Sequence, residues 1–427
     1  MGVMHHLDQA IASADAPAAR HVFLTRDDRG LRSLARGLDA QLAQGQQIGP
    51  LGGAVVVIKG NIDLAGMPTT AGSRSFAAKA ADRSAPLVSR LVQAGGLPMG
   101  HANMSEFAFS GLGLNPAFGT PVNALNPDLV PGGSSSGCAS AVALGIADLA
   151  VGTDTSGSTR VPAAYQGLYG FRPSMGRYED AGILPLAPSL DTPGPITRDL
   201  RGILQLDTVL RQRFTADFRD PAKRVVIPDA ASLGEVSSAV VHMLYDTASD
   251  LISQGWSVDF KPVPALLDIR KLFAEFGTLV AGEAPAAIGA FTALDNPRID
   301  PNVRLRLSQG LLIDPSKMAA LRAARVLLQA DMRKALGSAL LLMPTVPGPP
   351  ARLADVATPA EFAAENARAL SLTMPTAFLD MPSLAMPVAG RVPGQSLSLS
   401  ASSGGDDRLL EAAERMAPVL LKMGKEH

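Results

Sequence analysis

The sequence is poor in cysteine and in excess charge, and each scarcity excludes a class of protein. A single cysteine, Cys138, cannot form an internal disulfide. Lysine and arginine total 38 against 39 acidic residues, so no basic excess exists to attract nucleic acid or anionic lipid. No apolar run approaches the roughly 18 residues of a membrane-spanning helix, and residues 1–30 lack the charged-then-apolar pattern of a signal peptide. We therefore expect a cytoplasmic protein without nucleic-acid or membrane partners.

Aromatic residues and histidine are also scarce. Phe, Trp and Tyr make up 4% of the chain, which gives weak support for a ligand site built on ring stacking. None of the six histidines lies in a cluster of polar residues, and three of them lie near the termini. A catalytic triad that depends on histidine is therefore unsupported, although the sequence leaves it open.

Small residues concentrate in one stretch, residues 131–162, which reads PGGSSSGCASAVALGIADLAVGTDTSGSTRVP. Two clusters of glycine and serine, at 132–137 and 154–158, flank a short apolar helix. Glycine allows the backbone to approach a neighbour or a ligand closely, and each hydroxyl both donates and accepts hydrogen bonds. We therefore look for the chemistry of the protein in this stretch.

The second cluster has the pattern of a strand, a tight turn and a helix. Apolar residues 149–151 precede it, and Pro162 is a typical residue of a helix start. Such a turn directs successive backbone N–H groups toward one point, where they can stabilise an oxyanion. A nucleophilic serine at the end of the turn would lie beside its own oxyanion hole.

A serine nucleophile needs a base, and Lys59 is the candidate other than histidine. It closes the apolar run of residues 54–58, which is typical of a buried strand. Lysine acts as a base only if burial or nearby charge lowers its pKa from about 10.4 toward neutrality. Taken alone, a lysine at a strand end is more often solvated than catalytic.

Three motifs together resemble the amidase signature family. They are a lysine after an apolar strand in VVVIKGNID, the loop PGGSSSG, and the turn GTDTSGSTRVP, at intervals similar to those of the family. The resemblance continues through TTAGSRSF, FGTPVN, GFRPSMGRY and SLDTPGPITRDL, is thin over residues 212–338, and returns near the C-terminus.

The resemblance implies a role for each motif residue. Ser158 would be the nucleophile and Lys59 the terminal base, with Ser134 as the bridging serine on a cis peptide bond after Gly133. The oxyanion hole would consist of the backbone N–H groups of Thr155, Ser156, Gly157 and Ser158. Residues expected to support the site are Ser135, Asp154 and Arg160. Many family members have glycine at the position of Ser156.

Several of these residues also have other interpretations. Gly133 to Gly137 fit the G-x-S-x-G nucleophile elbow with Ser135 as nucleophile, although two prolines rather than a strand precede them. Cys138 would open a helix, where a thiol pKa can fall, but a small buried packing residue is the simpler interpretation. We expect Ser135 to hydrogen-bond within its loop. Asp191 is expected to cap a turn.

The ion pair expected between Asp154 and Arg160 could either fix the turn or shape the site. Arg160 could alternatively bind a substrate carboxylate.

Short apolar strands alternate with helical patterns, which predicts an α/β fold with a mixed, mostly parallel sheet covered by helices on both faces. Strands are predicted over residues 54–59, 97–99, 149–151, 224–228, 339–344 and 396–400. Helices are predicted over residues 26–47, 85–93, 101–109, 198–211, 236–253, 265–287 and 317–336. In 101–109, Asn103 and Glu106 have the spacing of a capping box. In 396–400, alternating leucine and serine predict one buried face.

Length alone would suggest two or three domains, but the resemblance implies a single amidase domain over 1–427. Within it we distinguish a signature core (53–211), a variable, mainly helical substrate-side region (212–338) and a C-terminal region (339–427) that completes the core. Four apolar residues of the variable region could line an acyl pocket or simply pack in the core. They are Phe273, Phe276, Phe291 and Met318.

The resemblance implies hydrolysis of a carboxylic amide to acid and ammonia, with no metal or organic cofactor and a small-molecule amide as partner. A homodimer is left open. GFRPSMGRY is most similar to indoleacetamide and mandelamide hydrolases, whereas the short chain is similar in size to malonamidase-type members that take half-amides. Two alternatives remain: the A subunit of a glutamine-dependent tRNA amidotransferase, and a non-catalytic amide-binding relative.

Overall fold

The computed structural model describes residues 2–212, 223–388 and 392–421. These residues contain one sheet of 11 strands in the spatial order β1-β3-β2-β4-β6-β5-β10-β11-β9-β7-β8. The strands in chain order are β1 Phe23–Arg26, β2 Val55–Lys59, β3 Leu97–Ala102, β4 Leu149–Asp154, β5 Tyr169–Arg172, β6 Thr192–Thr197, β7 Arg224–Pro228, β8 Ser257–Lys261, β9 Leu340–Pro344, β10 Ser383–Pro387 and β11 Ser396–Ser400.

Helices occupy both sides of this sheet. The first eight in chain order are α1 Val3–Ala14, α2 Asp28–Ala43, α3 Pro86–Gln93, α4 Ser136–Ala143, α5 Arg160–Tyr165, α6 Leu200–Leu210, α7 Ala230–Leu233 and α8 Ser238–Ser253. The others are α9 Pro264–Phe276, α10 Leu279–Gly289, α11 Pro301–Gly310, α12 Pro315–Leu336, α13 Pro359–Leu370, α14 Thr373–Phe378 and α15 Asp406–Leu420.

The alternation of side chains along β2 shows how the sheet is covered. Val55 and Val57 belong to the core on one face, and Val56 and Ile58 belong to the core on the other. All four are fully buried, as expected for a strand whose two faces are both covered. Lys59 ends this strand, so its side chain begins inside the protein and not at the surface.

The predicted α/β domain with a mixed sheet covered on both faces is confirmed. Pairing is parallel in β3-β2-β4 and in β9-β7-β8, whereas the middle of the sheet and the edge pair β1-β3 are antiparallel. Antiparallel pairs are in fact the more numerous, six against four among the described strands, so the sheet is less parallel than expected. One reason is that β5 leads to β6, and β10 leads to β11, without the helical crossover that parallel neighbours require.

Most predicted elements are present, but the helix predicted over 101–109 is wrong. Strand β3 continues through Ala102, and only a single 3₁₀ turn, Glu106–Ala108, follows. Asn103 does not cap a helix, because its side-chain amide donates to the carbonyls of His21 and Gly119. The capping-box spacing therefore occurs in a segment that pairs with two neighbouring strands.

Two other predictions need correction. The helix predicted over 265–287 is two helices, α9 and α10, separated at Gly277, whose φ of +82° ends the first of them. Strand β11 is buried on both faces, not one. Two of its three serines are paired inside the protein, since Ser400 Oγ lies 2.8 Å from Ser383 Oγ and Ser396 Oγ lies 2.9 Å from Thr345 Oγ1, whereas the hydroxyl of Ser398 is buried without a partner in the described chain.

Candidate active site

The turn after β4 is built on the carboxylate of Asp154. Its Oδ1 accepts a hydrogen bond from the N–H of Gly157 at 2.7 Å, and its Oδ2 accepts from the N–H and the hydroxyl of Thr159. Helix α5 begins directly afterwards, at Arg160. The strand, turn and helix expected from the sequence are therefore present, and a buried carboxylate holds the turn between them.

Two arginines neutralise this carboxylate. Arg160 donates to both oxygens of Asp154 at 3.0 Å, and Arg172 of β5 lies 3.6 Å from Oδ1. All three side chains have no solvent exposure. Burial alone would raise the pKa of Asp154, but the charges of Arg160 and Arg172 outweigh it and hold that pKa below its usual range.

All three guanidinium nitrogens of Arg160 are engaged within the protein. Besides Asp154, Arg160 donates to the hydroxyl of Thr376 and to the carbonyl of Thr373. Because these contacts all lie inside the protein, the place of Arg160 in this structure is that of a residue that shapes the turn. The interpretation of Arg160 as the group that binds a substrate carboxylate has no support in the geometry.

Lys59 is fully buried and meets the loop that follows residue 131. Its Nζ lies 2.7 Å from Ser134 Oγ, 2.7 Å from Thr153 Oγ1 and 3.3 Å from the carbonyl oxygen of Thr153. The solvated alternative for this lysine is excluded by its 0% exposure. Burial lowers the pKa of Lys59 to about 8, against a smaller opposing effect of nearby groups that include Asp154.

The loop that carries Ser134 is packed against the turn that carries Ser158. The peptide bond between Gly133 and Ser134 is cis. Gly132 has a φ of +78°, and a Cβ atom there would lie 2.6 Å from the Cα of Pro162 in α5. The N–H of Ser135 donates to the carbonyl of Ser158 at 3.3 Å. The small size of Gly132 and the hydrogen bond from Ser135 to Ser158 therefore hold the two glycine-rich clusters against each other.

Ser158 borders a cleft. Among the described residues, its hydroxyl has no hydrogen-bond partner, and neither do the N–H groups of Thr155, Ser156 and Ser158. The cleft contains about 320 Å³ of empty space, and these three residues line part of it. A hydroxyl and several free backbone donors thus face one small space.

The expected oxyanion hole needs one correction. The N–H of Gly157 points to Asp154 Oδ1 and not to the cleft, because the carboxylate that fixes the turn uses that donor. Backbone donors at Thr155, Ser156 and Ser158 remain without protein partners within the described chain. The turn can therefore offer N–H groups to an oxyanion, but fewer than the four expected.

The competing interpretations of nearby residues are resolved by their surroundings. Ser135 does not follow a strand, as a nucleophile elbow requires. Its hydroxyl donates to the carbonyl of Thr153 in β4 at 3.4 Å, so the expected bond within its own loop is wrong. Cys138 is fully buried, burial raises its pKa to about 12, and its Sγ lies 3.7 Å from the carbonyl of Val151. It is a packing residue.

Thr153, Asn61 and Asp191 belong to the site although the sequence analysis did not place them there. Asn61 donates to Thr153 Oγ1, which also contacts Lys59. Asp191 accepts from the hydroxyl of Thr155 at 2.5 Å and from the N–H groups of Leu186 and Ala187, so it does hold a turn, as expected. Thr153 directly precedes Asp154 in the GTDTSGS motif, and this position could have identified it as a site residue from the sequence.

The four apolar residues proposed for an acyl pocket do not line the cleft beside Ser158. Met318 is buried in the core, and Phe273 packs edge-on against Phe378 with 5.2 Å between ring centroids. Phe291 is 40% exposed and packs on Phe76. The residues that line the cleft besides the turn are Ala108, Phe109, Ser110, Leu186, Thr278, Val280, Arg306, Leu370 and Met374.

Two negative findings concern other kinds of site. Within residues 2–212, 223–388 and 392–421, no cluster of three or more His, Cys, Asp or Glu side chains is suited to hold a metal ion. None of the helices in those same ranges is long and apolar enough to cross a membrane.

A single α/β domain in which a buried lysine contacts a serine, and in which a second serine borders a cleft, is an arrangement typical of an enzyme. Comparison with known proteins identifies the family, because the Amidase family matches residues 7–410. The chain is 34% identical over 409 residues to 2-amino-5-chloromuconic acid deaminase of Comamonas testosteroni, covering 90% of this chain and 87% of that protein. It is 32% identical over 395 residues to indoleacetamide hydrolase of Pseudomonas savastanoi, covering 87% and 84%. The chain therefore belongs to the Amidase family and is a hydrolase of amide C–N bonds.

The fold comparison agrees with this assignment. A solved structure described as the crystal structure of amidase superposes with a TM-score of 0.87 at 30% identity, covering 99% of this chain and 96% of the other. By contrast, similarity to the A subunit of the glutamyl-tRNA(Gln) amidotransferase of Symbiobacterium thermophilum, at 41% identity, covers only 47% of this chain and 41% of that protein.

Proposed function

We propose that the enzyme hydrolyses a small-molecule carboxylic amide through an acyl-enzyme on Ser158, with Ser134 and Lys59 as the proton relay. The observation that carries the proposal is the 2.7 Å contact between Lys59 Nζ and Ser134 Oγ inside a fully buried environment. A buried amine whose pKa is lowered to about 8 is partly neutral near pH 7 to 8, so it can accept a proton.

The three contacts of Lys59 match the bonding capacity of a neutral amine. A neutral amine has two N–H donors and one lone pair. The two oxygens of Thr153 can accept its two N–H bonds, which leaves the lone pair for the hydroxyl proton of Ser134. Asn61 also donates to Thr153 Oγ1, so this oxygen is held as an acceptor beside Lys59. Thr153 and Asn61 would thus orient the base.

In the acylation step, Ser158 Oγ attacks the amide carbonyl and a C–O bond forms. The hydroxyls of Ser158 and Ser134 are not hydrogen-bonded in this structure, so the relay requires them to come within reach when substrate binds. The proton of Ser158 then passes to Ser134, whose own proton passes to Lys59. The oxyanion is stabilised by the free N–H groups in the turn at residues 155–158. When the C–N bond breaks, the relay returns a proton to the departing nitrogen, which leaves as ammonia. Water then attacks the ester by the same relay and releases the acid and Ser158.

A free-standing hydrolase is favoured over a component of an amidotransferase. Relatives named as a deaminase and as a hydrolase are similar over 84% or more of either chain, whereas two amidotransferase A subunits match over 47% and 67% of this chain and over 41% and 56% of their own length. The alternative of a non-catalytic amide-binding relative is disfavoured, because Lys59, Ser134 and Ser158 are all present and the first two are in contact.

Ammonia release from a panel of primary amides, with acetamide, malonamate, arylacetamides and glutamine in parallel, tests this function. We expect turnover by the wild-type enzyme, a loss of at least about 10⁴-fold in Ser158→Ala, and loss of labelling by a fluorophosphonate probe in that variant.

Ser136→Ala is the matched control. Ser136 begins helix α4 directly after the loop that carries Ser134, is fully buried and has a hydroxyl without a partner in the described chain. We expect it to retain activity within about threefold and to label normally. Persistent labelling or turnover in Ser158→Ala would contradict the assignment of the nucleophile, and ammonia release from glutamine alone would favour the amidotransferase alternative.

A further inference from the structure

The cleft beside Ser158 receives one cationic side chain from the described chain, Arg306 of helix α11 in the variable region. Its Nη1 donates to the carbonyl oxygen of Phe109, and its guanidinium carbon lies 3.9 Å from the centroid of the Phe109 ring. A guanidinium stacked on an aromatic face is held in a fixed plane. Arg306 is therefore positioned before any substrate arrives.

Arg306 has no carboxylate partner in the described chain. Within those same residues it forms no salt bridge, and its one hydrogen bond uses one of its five N–H groups. Burial lowers the pKa of Arg306 to about 10, which still leaves it charged at neutral pH. A half-buried cation without a counterion is costly, and an anionic ligand in the cleft would remove that cost.

The other residues around the cleft do not provide that anion. No Asp or Glu is among its described lining residues, which are otherwise apolar, hydroxyl-bearing or backbone donors. The buried arginines nearby differ in this respect, because Arg160 and Arg172 both contact Asp154. Arg306 therefore offers a free, oriented guanidinium in the same space as the Ser158 hydroxyl.

We propose that the substrate carries a carboxylate on its acyl portion and that Arg306 binds this carboxylate while Ser158 attacks the amide. The substrate class would be monoamides of small dicarboxylic acids. This inference rests on the proposed amide hydrolysis. A guanidinium matches a carboxylate with two parallel N–H···O bonds, which would fix the far end of the substrate and thereby orient its carbonyl.

Matched pairs of substrates test this specificity. Malonamate, succinamate and glutaramate are each compared with the neutral amide in which an ethyl group replaces the carboxylate, namely butyramide, pentanamide and hexanamide. For at least one pair we expect the wild-type kcat/KM to be about tenfold or more higher for the acid. Arg306→Met should lower kcat/KM for that acid about 100-fold while leaving its neutral partner within about threefold.

Arg304→Met is the control, because Arg304 lies on the same helix but lines a different surface depression. Arg304→Met should leave kcat/KM unchanged for both the acid and its neutral partner, and Arg306→Lys should restore part of the preference for the acid. A wild-type preference for the neutral amides, or an equal loss for both members in Arg306→Met, would overturn the inference. Normal fluorophosphonate labelling of Arg306→Met shows that the variant is folded.

The failure of this inference can be separated from failure of the proposed hydrolysis. If no amide is hydrolysed and Ser158 is not labelled, the hydrolytic function is wrong. Binding of malonate, succinate and glutarate, measured by calorimetry on the wild type and on Arg306→Met, then still tests the carboxylate site. We expect at least one diacid to bind about tenfold or more weakly to the variant, and equal binding would refute the role of Arg306.

Discussion

The signature core and the variable region contribute to the same cleft in different ways. The core, residues 53–211, supplies Lys59, Ser134 and Ser158, which are at most 4% exposed. The variable region, of which residues 223–338 are described, supplies Thr278, Val280 and Arg306 to the wall. The proposed reacting groups therefore come from one region, and the proposed recognition of the acyl portion comes partly from the other.

The two regions also differ in how their residues are held. The core groups are linked by hydrogen bonds and ion pairs between elements, as between Lys59 at the end of β2 and Ser134, or between Asp154 at the end of β4 and Arg160 at the start of α5. The variable region consists mainly of amphipathic helices, and some of its large apolar side chains face solvent, such as Leu312 at 84% exposure. A buried polar network tolerates few substitutions, whereas a helix surface tolerates many. Substrate preference can therefore change in the variable region without disturbing the chemistry.

The largest effect should come from removing the base in the core. Lys59→Met keeps an unbranched side chain of similar length but has no lone pair to accept a proton. We expect kcat/KM to fall at least about 10⁴-fold for acidic and neutral amides alike. Ammonia release measures the loss, and circular dichroism checks that the fold persists. A variant that retains activity would contradict the lysine base and, with it, the separation of chemistry from recognition.

The pH dependence of the wild type follows from the same group. The amine of Lys59 can accept a proton only when it is neutral, which is above its pKa of about 8. With substrates that do not titrate in this range, kcat/KM should rise with pH and level off above about pH 8. A kcat/KM that is independent of pH between 6 and 9 would argue against Lys59 as the base.

The second largest effect should come from Asp154, whose replacement is expected to lower both stability and activity. Asp154→Asn leaves the buried charge of Arg160 without a carboxylate and leaves Arg172 with only Asp380, at 3.9 Å, so we expect a loss of about 3–5 kcal/mol in the free energy of unfolding. Activity should fall as well, because Asp154 fixes Gly157 and Thr159 in the turn. Thermal denaturation and kcat/KM at a temperature where the variant is folded measure the two losses.

The matched control is another buried ion pair, in which Arg177 donates to both oxygens of Asp207 at 2.7 Å. Asp207 does not line the cleft. Asp207→Asn should therefore lower stability while leaving kcat/KM of the folded enzyme within about threefold. If both variants lose activity equally, the turn at Asp154 has no special link to the chemistry.

The sequence was sufficient to predict the local parts of the site. The apolar run before Lys59, the glycine-rich loop and the turn after Asp154 each have a pattern that the structure reproduces over a few residues. Contacts between distant segments could not be predicted in this way. Arg172 reaches Asp154 from β5, and Arg306 reaches the cleft from α11, so their positions depend on the packing of the whole domain.

The wrong predictions have physical reasons of the same kind. The segment 101–109 has a capping-box spacing, but β3 pairs with both β1 and β2, and this pairing outweighs the local helical signal. In the variable region, Gly277 signals the end of a helix, but the helical periodicity continues on both sides of it and led to the prediction of a single helix. The prediction that the N–H of Gly157 belongs to the oxyanion hole was wrong, because the sequence does not show which N–H donates to the Asp154 carboxylate.

The smallest effect should come from Cys138, which shares the buried core with Lys59 but takes no part in the proposed chemistry. Its Sγ contacts a backbone carbonyl of β4, and burial raises its pKa to about 12, so no thiolate forms at neutral pH. Cys138→Ala should cost about 1 kcal/mol of stability for the lost sulfur contacts and leave kcat/KM within about twofold. Thiol-blocking reagents should likewise leave the native wild-type enzyme active. A large loss of activity in the variant would mean that packing around Lys59, and not only its hydrogen bonds with Ser134 and Thr153, determines kcat/KM.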